Sequence, residues 1–189
     1  MSAERRDYFR VECPALVSMK AVDPADEAEK IRHFVAGNAS TFSMAADFAA
    51  KTQEGESLFK RIATISPDVA QYLSGLEHRL QLMATVLVKS EISETGGQLH
   101  NIDLSGNGLA VQTRNAFPLE TLVELRLVLL PKYTGLDILA RVRRTRPIAE
   151  GLTLMGMSFE QIREGDHELV IRHVVQKQSE ALRAAKYKT

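Results

Sequence analysis

The sequence is poor in cysteine, because Cys13 is the only one among 189 residues. No disulfide can therefore form within the chain, and a reducing compartment suits it. Cys13 precedes Pro14 in an apolar stretch, a setting that favours a small packed side chain over a reactive nucleophile. We expect this thiol to be structural.

The formal net charge is zero, because 24 Lys and Arg residues balance 24 Asp and Glu residues. The chain therefore has no overall attraction for nucleic acid or for an anionic membrane, and any anion site must be local. No apolar run approaches the roughly 20 residues that span a bilayer. The charged N-terminus lacks the apolar region of a signal peptide. We expect a cytoplasmic protein with no nucleic-acid partner and no membrane span.

Signals for catalysis and for metal binding are weak. No serine lies in a G-x-S-x-G elbow, and Gly106-x-Gly108 lacks the remaining residues of a P-loop or a dinucleotide fingerprint. The histidines have no partner carboxylate at motif spacing and follow no metal-ligand pattern: His33, His78, His100, His167 and His173. We expect no catalytic residue, no metal and no cofactor.

The chain divides into three parts that differ in residue composition and in the spacing of apolar residues. Residues 1–22 form a basic arm and a first strand at 15–22, residues 23–95 are predicted to be helical, and residues 96–189 return to strands before a final helix. Turn residues separate five further strands, predicted at 98–103, 108–113, 121–130, 136–146 and 152–159, with the helix at 165–186. The six strands predict a small antiparallel β-barrel, interrupted by a helical insertion and closed by a C-terminal helix.

A long helix at about 67–90 is the clearest element of the insertion. Ser66 precedes Pro67, which suits an N-cap and a first helical residue. Apolar residues then follow a heptad pattern: Val69, Leu73, Leu76, Leu80, Met83 and Leu87. A second apolar line through Tyr72, Leu82 and Val86 suggests neighbours on more than one side, as in a helical bundle. Either an oligomer or a core within one chain would cover the stripe.

The N-terminal arm carries Arg5, Arg6 and Arg10 in the run RRDYFR. Guanidinium groups bind phosphate with two parallel hydrogen bonds and stack on purine faces. The alternative is an exposed basic tail.

A second motif, DLSGNG, occupies residues 103–108. The Asp103 carboxylate can accept hydrogen bonds from a guanine edge, and the Ser105 hydroxyl can donate or accept beside it. Gly106 and Gly108 let the backbone approach a ligand or adopt positive φ. The alternative is a hairpin turn that bonds its own backbone.

A basic cluster lies on the fourth of the five later strands: Arg141, Arg143, Arg144 and Arg146. We expect Arg141 and Arg143 to share a solvated face. Contact with a ligand or a partner is the alternative.

Together the two motifs resemble those of the PilZ domain family, R-R-x-x-x-R and D/N-x-S-x-x-G. Residues 154–159 are similar to the last barrel strand of that family. The resemblance implies a small antiparallel barrel that binds cyclic di-GMP. It assigns Arg5, Arg6 and Arg10 to phosphates and guanine faces, and Asp103 and Ser105 to a guanine edge.

The helical insertion departs from ordinary members, in which a much shorter segment separates the motifs. It resembles an atypical branch of the family in which such an insertion, with heptads in its long helix, builds a tetramer. The resemblance therefore implies a homo-oligomer, with a tetramer favoured, and an unidentified downstream protein partner. The alternative is a structural or interaction protein with a vestigial ligand site, acting through its helical oligomer.

Overall fold

A computed structural model describes residues 9–37, 42, 44, 51, 55–149 and 151–186. Arg5 and Arg6, and most of the segment between 38 and 54, lie outside the described residues. The strands are β1 (Arg10–Ala21), β2 (Gln98–Ser105), β3 (Gly108–Thr113), β4 (Leu122–Leu129), β5 (Thr134–Ala149) and β6 (Leu152–Gln161). The helices with described bounds are α1 (Glu27–Val35), α2 (Glu56–Ile65), α3 (Pro67–Glu94) and α4 (Glu164–Lys186).

The six strands close into an antiparallel barrel in the order β1-β2-β3-β6-β5-β4. This confirms the predicted fold class: a barrel interrupted between β1 and β2 by helices and followed by a terminal helix. Alternate residues of the strands point inward and form one core, which the α4 residues Val170 and Val174 extend. The barrel therefore brings β1 beside β2 although the whole insertion separates them in sequence.

Four strands are longer than predicted, namely β1, β2, β5 and β6. Two of them, β1 and β5, continue through a proline. β1 begins at Arg10 and includes Pro14, while β5 continues past Pro147 to Ala149. Proline lacks an N–H group and is tolerated only where one side of a strand is free of the ladder. At Pro14 β1 pairs with β2 but not yet with β4, and at Pro147 β5 pairs with β6 but no longer with β4. The prolines mark one-sided pairing and not strand ends.

Helix α3 is fixed to the barrel by its C-terminal turns. Val88 and Ile92 pack with Phe42 and Val128 in a buried cluster. The Ser18 hydroxyl donates to the Thr95 carbonyl at 2.8 Å. Pro67 occupies the first turn as predicted, but the Ser66 side chain makes no capping hydrogen bond. The helix ends at Glu94, four residues beyond the expected boundary.

Most of the heptad stripe of α3 faces solvent within one chain. The exposed fractions are 49% for Val69, 41% for Leu76, 41% for Leu80, 64% for Met83 and 55% for Leu87. Leu73 is half-buried. These six residues, called the heptad stripe below, therefore do not form the core of their own chain in the part that the structure describes.

Helix α1 is held against the barrel by Arg141. Its guanidinium donates to Glu27 at 3.1 Å, to the Glu120 carbonyl at 2.7 Å, and to Glu160. The expectation of a solvated Arg141 is wrong, because its side chain is only 14% exposed. The hydrogen bonds that Arg141 donates to Glu160 and then to Glu27 raise the pKa of Arg141 above its usual value. The strand pattern could not reveal that an insertion helix covers this position.

No helix among the described residues combines the length and apolar character needed to cross a membrane.

Candidate functional site

The two sequence motifs meet where β1 begins and β2 ends. Arg10 is paired in register with Ser105, and its Nη1 donates to Asp103 Oδ2 at 3.3 Å. Ile102 and Leu104 point into the core, so Asp103 between them faces outward. Both members of the ion pair are about two-fifths exposed. A pair this exposed contributes little to stability, so either group can exchange its partner for a ligand.

Ser105 has a structural hydrogen bond within the turn. Its buried hydroxyl donates to the Gly108 carbonyl at 3.0 Å. This is the self-bonded turn that the sequence offered as an alternative. The Ser105 hydroxyl oxygen can still accept a hydrogen bond, but its proton is already donated to the Gly108 carbonyl. Of the two polar residues predicted in this motif, Asp103 is the more accessible.

Gly108 is required for close packing and not for a left-handed backbone. A Cβ at this position would lie 2.2 Å from the Met157 carbonyl oxygen and 3.1 Å from the Ser158 Cα. Both contacts are with the backbone of β6, which pairs with β3 here. The glycine therefore sets how closely β3 approaches β6 beside the turn, which corrects the expectation of positive φ at Gly108.

The turn is also held from outside by groups that lie in neither sequence motif. His167 Nε2 lies 2.9 Å from the Gly106 carbonyl oxygen, so Nε2 carries the proton. The Phe159 N–H donates to the Asn107 carbonyl at 2.8 Å. His167 belongs to α4 and Phe159 to β6. No motif spacing could identify His167, because only the fold brings α4 to this turn.

Cys13 lies in the core near this site and is not a nucleophile. It is 1% exposed, and burial raises the pKa of its thiol while nearby Lys177 opposes the shift. The prediction of a packed, structural cysteine is confirmed. Among the described residues, no group of His, Cys, Asp and Glu could hold a metal ion.

A surface pocket of about 660 Å³ lies at the other ends of β2 and β3. Gln98, His100, Gln112 and Arg114 contribute to its lining, whereas Arg10, Asp103, Ser105, Gly106 and Gly108 do not. This described part of the predicted site therefore lies on the barrel away from the pocket.

A family model described as "PilZ domain" matches residues 76–176, slightly more than half of the chain. No curated protein matches the chain significantly.

Solved structures are similar to the chain at low sequence identity. A tetrameric PilZ domain protein of Xanthomonas campestris, self-assembled via an unusual helical bundle, is 12% identical with a TM-score of 0.57, covering 94% of this chain and 92% of that chain. An inhibitor of motility of Bacillus subtilis is 12% identical with a TM-score of 0.48, covering 94% of this chain and 53% of that chain. YcgR of Escherichia coli, in complex with c-di-GMP, is 8% identical with a TM-score of 0.49, covering 98% of this chain and 51% of that chain. The present chain thus spans about half the length of the last two proteins.

Proposed function

We propose that this chain, which belongs to the PilZ domain family, is a receptor for cyclic di-GMP and not an enzyme. The observation that carries the proposal is the 3.3 Å contact of Arg10 with Asp103. It joins the end of the arginine arm to the outward carboxylate of the turn. The family resemblance of both motifs supplies the identity of the ligand.

The proposed roles follow from the chemistry of each group. Arg5, Arg6 and Arg10 bind the two phosphates and stack on guanine faces. Asp103 releases Arg10 and accepts hydrogen bonds from guanine N1–H and N2–H. Ser105, Gly106 and Gly108 hold the turn in the shape that presents Asp103. Binding requires no metal and no other cofactor.

Ligand binding is proposed to draw the arm against the barrel face beside Asp103. This would change the surface that the receptor shows to a protein partner, a switch based on ordering a segment. The bond from His167 to the Gly106 carbonyl offers a second route, from the turn to α4. We assign the receptor to the cytoplasm.

A homotetramer built through the heptad stripe is part of the proposal. An apolar stripe left exposed along a helix marks an interaction surface. The protein of Xanthomonas campestris, which has the same fold, assembles as a tetramer via a helical bundle. The exposed stripe also favours one alternative function, an interaction protein whose ligand site is vestigial.

Replacing Arg6 and Arg10 by alanine is expected to weaken cyclic di-GMP binding by roughly 100-fold or more. Each hydrogen bond to a charged group contributes about 1.5–3 kcal/mol, and each 1.4 kcal/mol corresponds to tenfold in affinity. Isothermal titration calorimetry measures the change. The matched control is Arg32→Ala with Arg61→Ala, which removes two exposed arginines from the insertion helices.

Equal affinity of the wild type and the Arg6→Ala/Arg10→Ala variant would show that the arm is not the binding element. A wild type that assembles but binds no nucleotide would support the interaction protein.

A further inference from the structure

The pairing of β2 with β3 stops before either strand does. The pair farthest from the turn is Ile102 with Val111, whereas β2 begins at Gln98 and β3 continues to Thr113. These two strand ends stay paired on their other side, β2 with β1 and β3 with β6. The barrel wall therefore opens between them, and the pocket of about 660 Å³ lies at this opening.

The opening leaves polar groups without a strand partner. A strand directs the N–H and C=O groups of alternate residues to opposite edges, so some of those at the start of β2 face the gap. His100 Nδ1 lies 3.2 Å from the Gln112 carbonyl oxygen and takes the place of a strand partner. Nδ1 must then carry the proton, which leaves Nε2 of the neutral ring as an acceptor. Residues with amide side chains, which both donate and accept, also line the pocket: Gln98, Asn101, Gln112 and Asn115.

Arg114 gives this pocket a positive charge. It is exposed and has no acidic partner in the part of the chain that the structure describes. No aspartate or glutamate stands among the described residues that line the pocket. The Asn115 N–H donates to the Thr113 hydroxyl at 3.1 Å, which fixes the chain on both sides of Arg114. A guanidinium without a counter-charge is suited to bind carboxylate or phosphate through two parallel hydrogen bonds.

The size and the place of the pocket suit a small molecule. Ligand sites usually have volumes of about 300–1,000 Å³, and the mouths of β-barrels are frequent places for them. Phe117 and Leu152 add apolar surface to the lining. Leu99, which also lines the pocket, is four residues from Asp103, about 13 Å along β2. The pocket is therefore separate from the site at the turn.

We propose that this pocket is a second binding site, for a small anion that carries hydroxyl groups, such as a sugar acid or a sugar phosphate. Arg114 binds the carboxylate or phosphate. Hydroxyl groups both donate and accept, so they match the amide side chains and the free Nε2 of His100. The site goes beyond the proposed function and does not depend on it.

Titration of the full-length chain with D-glucuronate, D-glucose 6-phosphate and D-glucose, followed by saturation-transfer NMR, tests the site. The three probes share ring hydroxyls and differ in the group at one carbon. At least one of the two anions is expected to bind saturably and at least about tenfold more tightly than glucose. The tighter anion shows whether the preferred group is carboxylate or phosphate.

Arg114→Ala is expected to weaken binding of that anion at least about tenfold and to leave glucose binding unchanged. Because Arg114 is exposed, thermal unfolding of the variant is expected to match that of the wild type. Arg183→Ala removes an exposed arginine of α4 outside the pocket and is the matched control, expected to bind as the wild type. His100→Phe keeps a ring but removes the Nε2 acceptor, and is expected to weaken both the anion and glucose.

Equal affinity of Arg114→Ala and Arg183→Ala for the tighter anion would overturn the role of Arg114. No saturable binding of either anion, or affinity for glucose equal to that for both anions, would overturn the site. Arg114→Ala is expected to bind cyclic di-GMP as the wild type does, and loss of that binding would contradict two separate sites. A wild type that binds an anion here but no cyclic di-GMP would overturn the proposed function alone.

Discussion

Replacing Leu76 and Leu80 by lysine is expected to break the proposed tetramer into monomers. Both residues lie on the heptad stripe and are 41% exposed in a single chain. In a helical bundle their side chains would be buried against other copies, and a lysine ammonium there would lose its hydration without gaining a partner. Two such changes in every chain place several unpaired charges in the proposed interface.

Sedimentation velocity measures the result directly. Four copies of the 21.0 kDa chain give a wild-type mass of about 84 kDa, and the variant is expected near 21.0 kDa. The barrel should remain folded, because Val88 and Ile92, which dock α3, are untouched. A matched control adds two lysines on the opposite face, Gln71→Lys with His78→Lys, and is expected to keep the wild-type mass.

An unchanged mass for the Leu76→Lys/Leu80→Lys variant would show that the stripe is not the interface. A wild type that sediments as a monomer would contradict the oligomer itself.

Gly108→Ala is expected to destabilise the barrel by about 3 kcal/mol, because its new methyl group would lie 2.2 Å from the Met157 carbonyl oxygen. The obstacle is backbone, so it cannot rotate away as a side chain would. β3 must move away from β6, and the turn that presents Asp103 moves with it. The midpoint of thermal unfolding should fall on the order of 10 °C, and cyclic di-GMP binding should weaken as well.

Calorimetric unfolding at one fixed protein concentration checks this prediction, since the proposed assembly would make the midpoint depend on concentration. Gly165→Ala is the control with the same chemical change. A Cβ at Gly165, in the first turn of α4, would meet nothing within 4 Å. Helix propensity then predicts an equal or slightly higher midpoint. Equal midpoints for Gly108→Ala and the wild type would show that β3 and β6 accommodate the methyl group without loss of stability.

The barrel could be predicted because each strand carries its own local signal. Alternating apolar residues and turn-forming residues marked β3 within its observed bounds, Gly108–Thr113. Pro14 and Pro147 shortened the predicted β1 and β5, because a sequence does not show on which side a strand is paired. The heptad stripe was also visible from spacing, since residues three and four apart lie along the same side of a helix.

The geometry of the predicted site was harder to predict from the sequence, because it depends on contacts between elements that are far apart in the chain. The resemblance of the two motifs implied that Arg10 and Asp103 bind one ligand, and the β1–β2 pairing brings them together. The sequence also could not show that Arg141 is covered, because its partner Glu27 comes from α1, far away in the chain.

The central claim is that the chain recognises guanine in a cyclic dinucleotide, and titration of the wild type with two ligands tests it most directly. Guanine offers N1–H and N2–H to the Asp103 carboxylate, whereas adenine presents an unprotonated N1 that would face the same negative charge. We expect saturable calorimetric binding of cyclic di-GMP, with cyclic di-AMP binding at least about tenfold more weakly. The absence of saturable heat with cyclic di-GMP, or equal affinity for both ligands, would contradict it.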